Sequence, residues 1–314
     1  MRTKFTMQVK ATKIIQAGSV EGALYGLCLG ATQTDFFSCG SDKKLQHWSL
    51  HEPLHSVFAL QFPQSLYAVC FIRNKDLLIT GAGNGWLVVL SLKTKSVVKE
   101  FIHHRSVIFD IIYSTVHNLI VVASGDGSVS FIDAENLEVK KQVQICQEKI
   151  RDLSLSPNES ELAIACGDGT IRIFDLANLE EKESFVAHQF STTAVRFHPN
   201  GKLLVSGGKD AHLKVWERNA DAMFNCLVSI PAHNYAIYSI EFHPQLNIFA
   251  TGSRDKTIKL WNASNFDFLL RISKENNEGH VNSVNKLLWS QSDNQLISCG
   301  DDRSIIVWDI AVVS

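Results

Sequence analysis

The sequence predicts an all-β fold made of seven similar four-stranded antiparallel sheets arranged in a closed ring. One pattern recurs seven times along the 314 residues, each copy contains short β-rich runs separated by polar turns, and the runs are apolar on both faces. A small sheet that is apolar on both faces must be covered on both sides, and two neighbouring sheets of the same kind can do this. Radial closure gives a single seven-bladed β-propeller, whereas a solenoid would leave its end sheets exposed.

The repeat is defined by an apolar or aromatic residue that ends the third strand of each unit. Successive copies are separated by steps of 42 residues four times, then by 45 and by 47. The copies are Trp48, Leu90, Ile132, Phe174, Trp216, Trp261 and Trp308. Six residues before each lies Asp42, Asn84, Asp126, Asp168, Asp210, Asp255 or Asp302, in a turn rich in Gly, Ser and Lys. A start position lies 22 residues before each turn residue, at Val20, Phe62, His104, Cys146, His188, His233 and His280.

Each unit is predicted to be a four-stranded meander. The segment IYSIEFHPQLNIFATGSRDKTIKLWN of unit six contains three β-rich runs, and DFLLRIS supplies the fourth. We expect one domain, residues 1–314. Its blades should lie at about 18–61, 62–103, 104–145, 146–187, 188–232, 233–279 and 280–314, the last completed by residues 8–17.

The N-terminal segment is predicted to close the ring. Only four residues follow the third strand of the last unit, so that unit has no fourth strand after it. Residues 10–16, KATKIIQ, hold the register before Val20 that LHSVFAL holds before Phe62. We therefore expect them to form the outer strand of the last blade.

The last three units resemble the WD-repeat β-propeller family. They contain AH…SGGKDAHLKVWE, AH…TGSRDKTIKLWN and GH…SCGDDRSIIVWD, whereas the first four units keep only fragments of the pattern. The resemblance implies a buried network in each blade, in which Asp holds His, His meets a hydroxyl, and the Trp indole N–H caps that hydroxyl. Its members here are His188, Ser206, Asp210 and Trp216, then His233, Thr251, Asp255 and Trp261, then His280, Ser298, Asp302 and Trp308.

Ser, His and Asp could also form a catalytic triad. A catalytic site is normally built once, whereas these residues recur three times at nearly fixed spacing. We therefore interpret them as a structural network, and we predict no catalytic residue and no enzyme activity.

Composition narrows the partner classes. The net charge is −2 without long runs of like charge, so a general nucleic-acid or membrane-surface footprint is not expected. No signal-peptide pattern or membrane-span-length apolar run is present, which favours a soluble protein of the cytoplasm or nucleus. The seven scattered cysteines include no C-x-x-C pair. We interpret them as reduced core residues and expect no metal and no cofactor.

Binding is predicted on the rim that carries the loops between blades and the turns with the repeated Asp. The resemblance implies that this rim is the usual binding face. Five residues after each start position the units supply Tyr25, Tyr67, Phe109, Arg151, Thr193, Tyr238 and Asn285. Lys149, Arg151, Lys209 and Arg254 make units four to six of this rim basic. The hypothesis is a noncatalytic scaffold that binds protein partners through Tyr25, Tyr67, Phe109 and Tyr238 and through these four cations.

Two alternatives remain open for this rim. The aromatic residues could simply pack at the channel mouth beneath a solvated charged surface. The basic side could instead recognise an anionic ligand, either a phosphorylated peptide or RNA, although the near-neutral charge of the chain does not favour RNA.

Overall fold

A computed structural model of the protein describes residues 7–17, 21–50, 54–291 and 294–313. Within these residues it shows seven four-stranded antiparallel sheets, one per blade, arranged as a ring. The predicted all-β, seven-bladed propeller is confirmed. The start position of the first unit, Val20, lies outside the described residues.

In the described ranges, the strands follow one another along the chain with two short helical segments between them. Blade 7 consists of β1 (Gln8–Ala17) together with β26 (Val284–Trp289), β27 (Gln295–Gly300) and β28 (Ile305–Val313). Blades 1 to 3 contain β2 (Leu24–Leu29), β3 (Asp35–Gly40), β4 (Lys44–Ser49), β5 (His55–Gln61), β6 (Leu66–Ile72), β7 (Leu77–Ala82), β8 (Trp86–Ser91), β9 (Ser96–Ile102), β10 (Ile108–Ser114), β11 (Leu119–Ser124), β12 (Ser128–Asp133) and β13 (Val139–Gln144). Blades 4 to 6 contain β14 (Ile150–Leu155), β15 (Glu161–Cys166), β16 (Thr170–Asp175), β17 (Glu180–Val186), β18 (Thr192–Phe197), β19 (Leu203–Gly208), β20 (His212–Arg218), β21 (Phe224–Pro231), β22 (Ile237–Phe242), β23 (Ile248–Ser253), β24 (Ile258–Asn262) and β25 (Phe268–Ile272). The helical segments are a 3-10 turn at Arg73–Lys75 and α1 (Lys274–Asn277).

The N-terminal strand closes the ring, as the sequence predicted. β1 pairs antiparallel with β28 from Gln8 opposite Val313 to Ala17 opposite Ile305, with a bulge between Lys13 and Ile15. The loop that contains α1 supports β1 from the side, because the Lys13 ammonium donates to the Glu278 carbonyl at 3.2 Å. The ends of the described chain are therefore held in one sheet.

The core lies between the blades rather than at one centre. Seven buried apolar clusters each join two neighbouring blades, and the middle strands β11 and β23 are buried along their whole length. This explains why these strands are apolar on both faces. Each fully buried aliphatic or aromatic side chain contributes about 1.5–3 kcal/mol relative to an exposed one.

The innermost strand of every blade carries a β-bulge at the same place in the repeat. The register shifts between Leu24 and Gly26 in blade 1, and the corresponding shift occurs in the other six blades. The bulged residues are Tyr25, Tyr67, Phe109, Arg151, Thr193, Tyr238 and Asn285. A bulge redirects a side chain locally, and here it does so seven times around one axis.

Candidate functional site

The seven bulged residues surround one cavity, which we call the channel mouth. Its volume is about 240 Å³, and Asp152, Lys286 and Asp301 complete its lining. The repeat register thus brings together side chains from all seven blades. The five predicted rim residues that line it are Tyr25, Tyr67, Phe109, Arg151 and Tyr238.

Aromatic contacts connect blades 1 to 4 at the channel mouth. The Tyr25 and Tyr67 rings stack with centroids 4.5 Å apart and planes 1° apart. Tyr67 meets Phe109 edge to face at 6.2 Å, and the Arg151 guanidinium lies 4.5 Å from the Phe109 ring centroid. The four side chains form a continuous arc whose last member is a cation held against an aromatic face.

Burial changes the electrostatics of this arc. Burial, reinforced by the neighbouring Tyr67 and Asp301, raises the pKa of Tyr25, while burial lowers the pKa of Arg151. Asn285 closes the far side of the mouth by donating from Nδ2 to Asp301 Oδ1 at 2.7 Å. Arg151 is thus a partly desolvated cation, and an anionic partner group would meet it with less competition from water.

A second cavity, which we call the basic cleft, opens beside the channel mouth across blades 4 to 6. Its volume is about 630 Å³. It is lined by the remaining predicted cations, Lys149, Lys209 and Arg254, and it shares Arg151 and Tyr238 with the channel mouth. All eight predicted rim residues therefore line one of two adjoining cavities.

Two exposed aromatic residues at the basic cleft were missed by the sequence analysis. Phe190, which lines the cleft, is 54% exposed, and Tyr235 is 59% exposed. The Arg254 guanidinium lies 5.8 Å from the Tyr235 ring centroid. Both aromatics stand two residues after a start-position His, so the repeat register contains the signal that would have found them.

The structural networks assigned in the last three units are present as connected hydrogen bonds. In blade 5, His188 Nδ1 lies 2.9 Å from Asp210 Oδ1 and its Nε2 lies 2.8 Å from the Ser206 hydroxyl, which also accepts the Trp216 indole N–H at 2.9 Å. The same three contacts span 2.8–2.9 Å in blades 6 and 7. The blade 6 members are His233, Thr251, Asp255 and Trp261, and the blade 7 members are His280, Ser298, Asp302 and Trp308.

The geometry of these networks prevents the hydroxyl from acting as a nucleophile. Ser206, Thr251 and Ser298 are fully buried, and each hydroxyl oxygen is already engaged by an indole N–H. Burial raises the pKa of Asp210, but hydrogen bonds from His188 and the backbone outweigh it and lower that pKa to about 2. Burial lowers the pKa of His188, despite the opposing effect of Asp210.

These repeats match a known family across most of the chain. The profile of the family described as "WD domain, G-beta repeat" matches residues 95–133, 140–175, 179–217, 224–262 and 273–309, which together are more than half of the sequence. The chain belongs to the WD40 family. WD40 propellers are typically noncatalytic scaffolds for protein interactions. No curated protein sequence gives a significant match to this chain. Within the described ranges, no helix has the length and apolar character needed to cross a bilayer.

The early blades keep more of the WD40 network than the sequence analysis indicated. Blade 1 keeps the Trp48 indole bond to the Ser38 hydroxyl at 2.8 Å. In blade 3 the apolar Val122 holds the usual hydroxyl position, yet the Ser130 hydroxyl reaches His104 Nε2 at 2.7 Å. A replacement hydroxyl from the neighbouring strand thus restores the bond that the pattern had lost.

A charged cluster on the innermost strands of blades 3 to 7 was also missed. Lys286 Nζ lies 3.6 Å from both Asp110 and Asp152, and Arg196 lies 2.6 Å from Glu241 and 3.7 Å from Asp152. The two aspartates each also accept a backbone N–H from the next blade. Burial raises the pKa of Asp152 to about 6, against the opposing effect of Arg196 and Lys286. These residues stand six or eight places after the start positions, so their convergence was readable from the repeat.

Blade 4 replaces the WD40 His with a thiol. Its start position is Cys146, and the Cys146 sulfur, the Cys166 sulfur and an Asp168 oxygen all lie within 4.8 Å of one another. We call these three residues the thiol cluster. A hydrogen bond from Cys166 lowers the pKa of Cys146 to about 7 and outweighs the effect of burial. The two cysteines are 20 residues apart in sequence, and no familiar motif connects them.

Proposed function

We propose that this protein is a noncatalytic interaction scaffold whose channel mouth and basic cleft together bind an acidic segment of a partner protein. The proposed unit is the single domain of residues 1–314. The carrying observation is that the two cavities adjoin and share Arg151 and Tyr238. An extended segment could therefore contact the aromatic arc and the cations in one binding mode.

Charge supports an acidic partner segment. Lys149, Arg151, Lys209 and Arg254 line the cleft with only two carboxylates, Glu148 and Asp168, so its local charge is positive although the whole chain is at −2. Arg binds carboxylates with paired hydrogen bonds, and partly buried Arg and Tyr are the residues that most often dominate binding energy. Lys149, Lys209 and Arg254 are exposed, so they can reorient towards a partner.

Exposed apolar surface at the two cavities would add a second contribution to the free energy of binding. Phe190 is more than half exposed beside the cleft, and the aromatic arc presents Tyr and Phe faces at the adjoining mouth. Burial of apolar area contributes about 25 cal/mol per Å² before the costs of association. A peptide with acidic residues next to one aromatic or aliphatic residue fits this combination better than a purely electrostatic ligand does.

Affinity purification from the source cells tests the proposal. The variant Lys209→Glu/Arg254→Glu should lose the partners that the wild type retains, because two exposed cations of the cleft change sign. Lys202→Glu is the matched control, since Lys202 precedes β19 and Lys209 follows it, which places the two at opposite ends of the same strand. A folded double variant that retrieves the wild-type partners, or equal loss in the control, would contradict the proposal.

Salt dependence separates the protein partner from the alternative ligand. An RNA or multiply phosphorylated ligand would lose affinity steeply as salt rises, because counterions are released at each phosphate contact. A peptide held partly by aromatic contacts should show a shallow slope. RNA recovered with the wild type and lost in the double variant would favour the anionic-ligand alternative.

A further inference from the structure

We propose that the thiol cluster of blade 4, Cys146, Cys166 and Asp168, binds a thiophilic divalent cation such as Zn²⁺. Three potential ligand atoms of the right chemical types already lie within 4.8 Å of one another. The cluster borders the basic cleft, which Asp168 also lines, but the metal proposal does not depend on partner binding.

Two neighbouring positions of the repeat differ together in blade 4: a Cys replaces the His, and a second Cys replaces the Gly that stands beside that His in blade 5. The residue equivalent to Cys166 in blade 5 is Gly208, where an added Cβ would lie 2.4 Å from Nδ1 of His188. Blade 4 has Cys146 in place of that His, and the second thiol occupies the space next to it. The pair of changes thus exchanges an imidazole for two sulfurs while keeping the turn carboxylate of Asp168.

The ligand chemistry favours Zn²⁺ over hard cations. Two thiolates with one carboxylate suit zinc and other borderline or soft metals, whereas Mg²⁺ and Ca²⁺ prefer all-oxygen sites. Ligand atoms of a tetrahedral zinc lie on the order of 3.5–3.8 Å apart, so no pair of ligand atoms in the cluster would need to approach by more than about 1.3 Å. Asp168 is an exposed side chain and can supply part of this movement.

The surroundings complete the site. Thr170 Oγ1 donates to Asp168 Oδ1 at 2.6 Å, which orients the carboxylate, and Arg172 lies 3.7 Å from the other oxygen. Two thiolates and a carboxylate would leave one negative charge after binding a divalent ion, and Arg172 balances it. Asp168 also lines the basic cleft, which gives an entry path and a source of water for a fourth ligand.

Cysteines that serve only to fill space in the core would behave differently from metal ligands. If the two cysteines only fill space as small apolar residues, they should bind no metal and their replacement by Ser should alter stability alone. A reversible disulfide would consume both thiols and would likewise leave no metal site.

Titration of the reduced, metal-free full chain with Co²⁺ distinguishes these outcomes. The wild type should bind one Co²⁺ with a sulfur-to-cobalt charge-transfer absorption that Zn²⁺ displaces. Cys146→Ser and Cys166→Ser should each abolish the absorption, and Asp168→Asn should keep it but weaken affinity, because a neutral amide replaces a carboxylate ligand. Cys226→Ser, which changes an exposed cysteine of blade 5, should bind like the wild type. Absence of the absorption in the wild type, or its persistence in folded Cys146→Ser, would overturn the proposal.

Discussion

The contribution of a single residue to the stability of this propeller depends on the hydrogen bonds around it. Asp255 and Asp168 hold the same position in the repeat, yet Asp255 accepts a bond from buried His233 whereas Asp168 faces two thiols and is exposed. Removing an acceptor from a buried imidazole leaves a donor unsatisfied, and this carries a larger penalty than removing an exposed carboxylate.

We therefore expect Asp255→Ala to lower the free energy of unfolding by about 2 kcal/mol at pH 7. Asp168→Ala should cost clearly less. Urea denaturation with a chelator in every sample measures both, so that no metal contributes. Equal losses would contradict the structural role assigned to the His233 network.

The loss of stability in Asp255→Ala should depend on pH. Burial raises the pKa of Asp255, but bonds from His233 and Thr257 outweigh it and hold that pKa below the ordinary value of 3.8. The stabilisation is therefore complete above that value and is lost as the pH falls through the folded-state pKa. The gap between wild type and Asp255→Ala should persist at pH 7 and narrow only below about pH 4.

The sequence predicts which side chains meet at the centre of the ring only at those repeat positions that are compared between units. Counting five places from each start position was enough to collect the seven bulged residues of the channel mouth, but not Asp152, Lys286 and Asp301, which complete its lining. The charged cluster stands one and three places further on and was missed because those positions were not compared. Ser130 and the pair of Cys146 with Cys166 could not be read in this way, since each depends on which side chains meet across neighbouring strands.

At the scale of elements, the bulge of each inner strand and the closure strand β1 do most of the positioning. The bulges aim one side chain per blade into the channel mouth. The outer strand β1 caps the edge of β28, which would otherwise present unpaired N–H and C=O groups. The bulge occurs both in blades 5 to 7, which have complete WD40 networks, and in blades 1 to 4.

Deletion of residues 1–17 should therefore lower the melting temperature and promote aggregation, because β28 becomes an exposed edge. Deletion of residues 1–6 is the control, since it leaves β1 complete. Thermal unfolding monitored with light scattering reports both effects. A protein without residues 1–17 that melts and stays soluble like the control would show that β1 is dispensable for closure.

The molecule as a whole is a ring of seven similar blades that differ in the side chains at equivalent positions. Blades 5 to 7 keep complete WD40 networks, while blades 1 to 3 contribute the aromatic side of the channel mouth and blades 4 to 6 contribute the cations. Seven equivalent positions have thus come to hold different chemistry on one rim. On the proposed function, this asymmetry would distinguish one orientation of a bound partner from another, which seven identical blades would not do.

Site-specific photo-crosslinking in the source cells tests the location of binding most directly. A photoreactive residue at Gln189, an exposed position of the basic cleft, should crosslink to a partner protein. The same residue at Asn200, an exposed position in the turn before β19 on the opposite rim, should not. Crosslinks from Asn200 with none from Gln189 would place the partner on the other face and contradict the proposed binding rim.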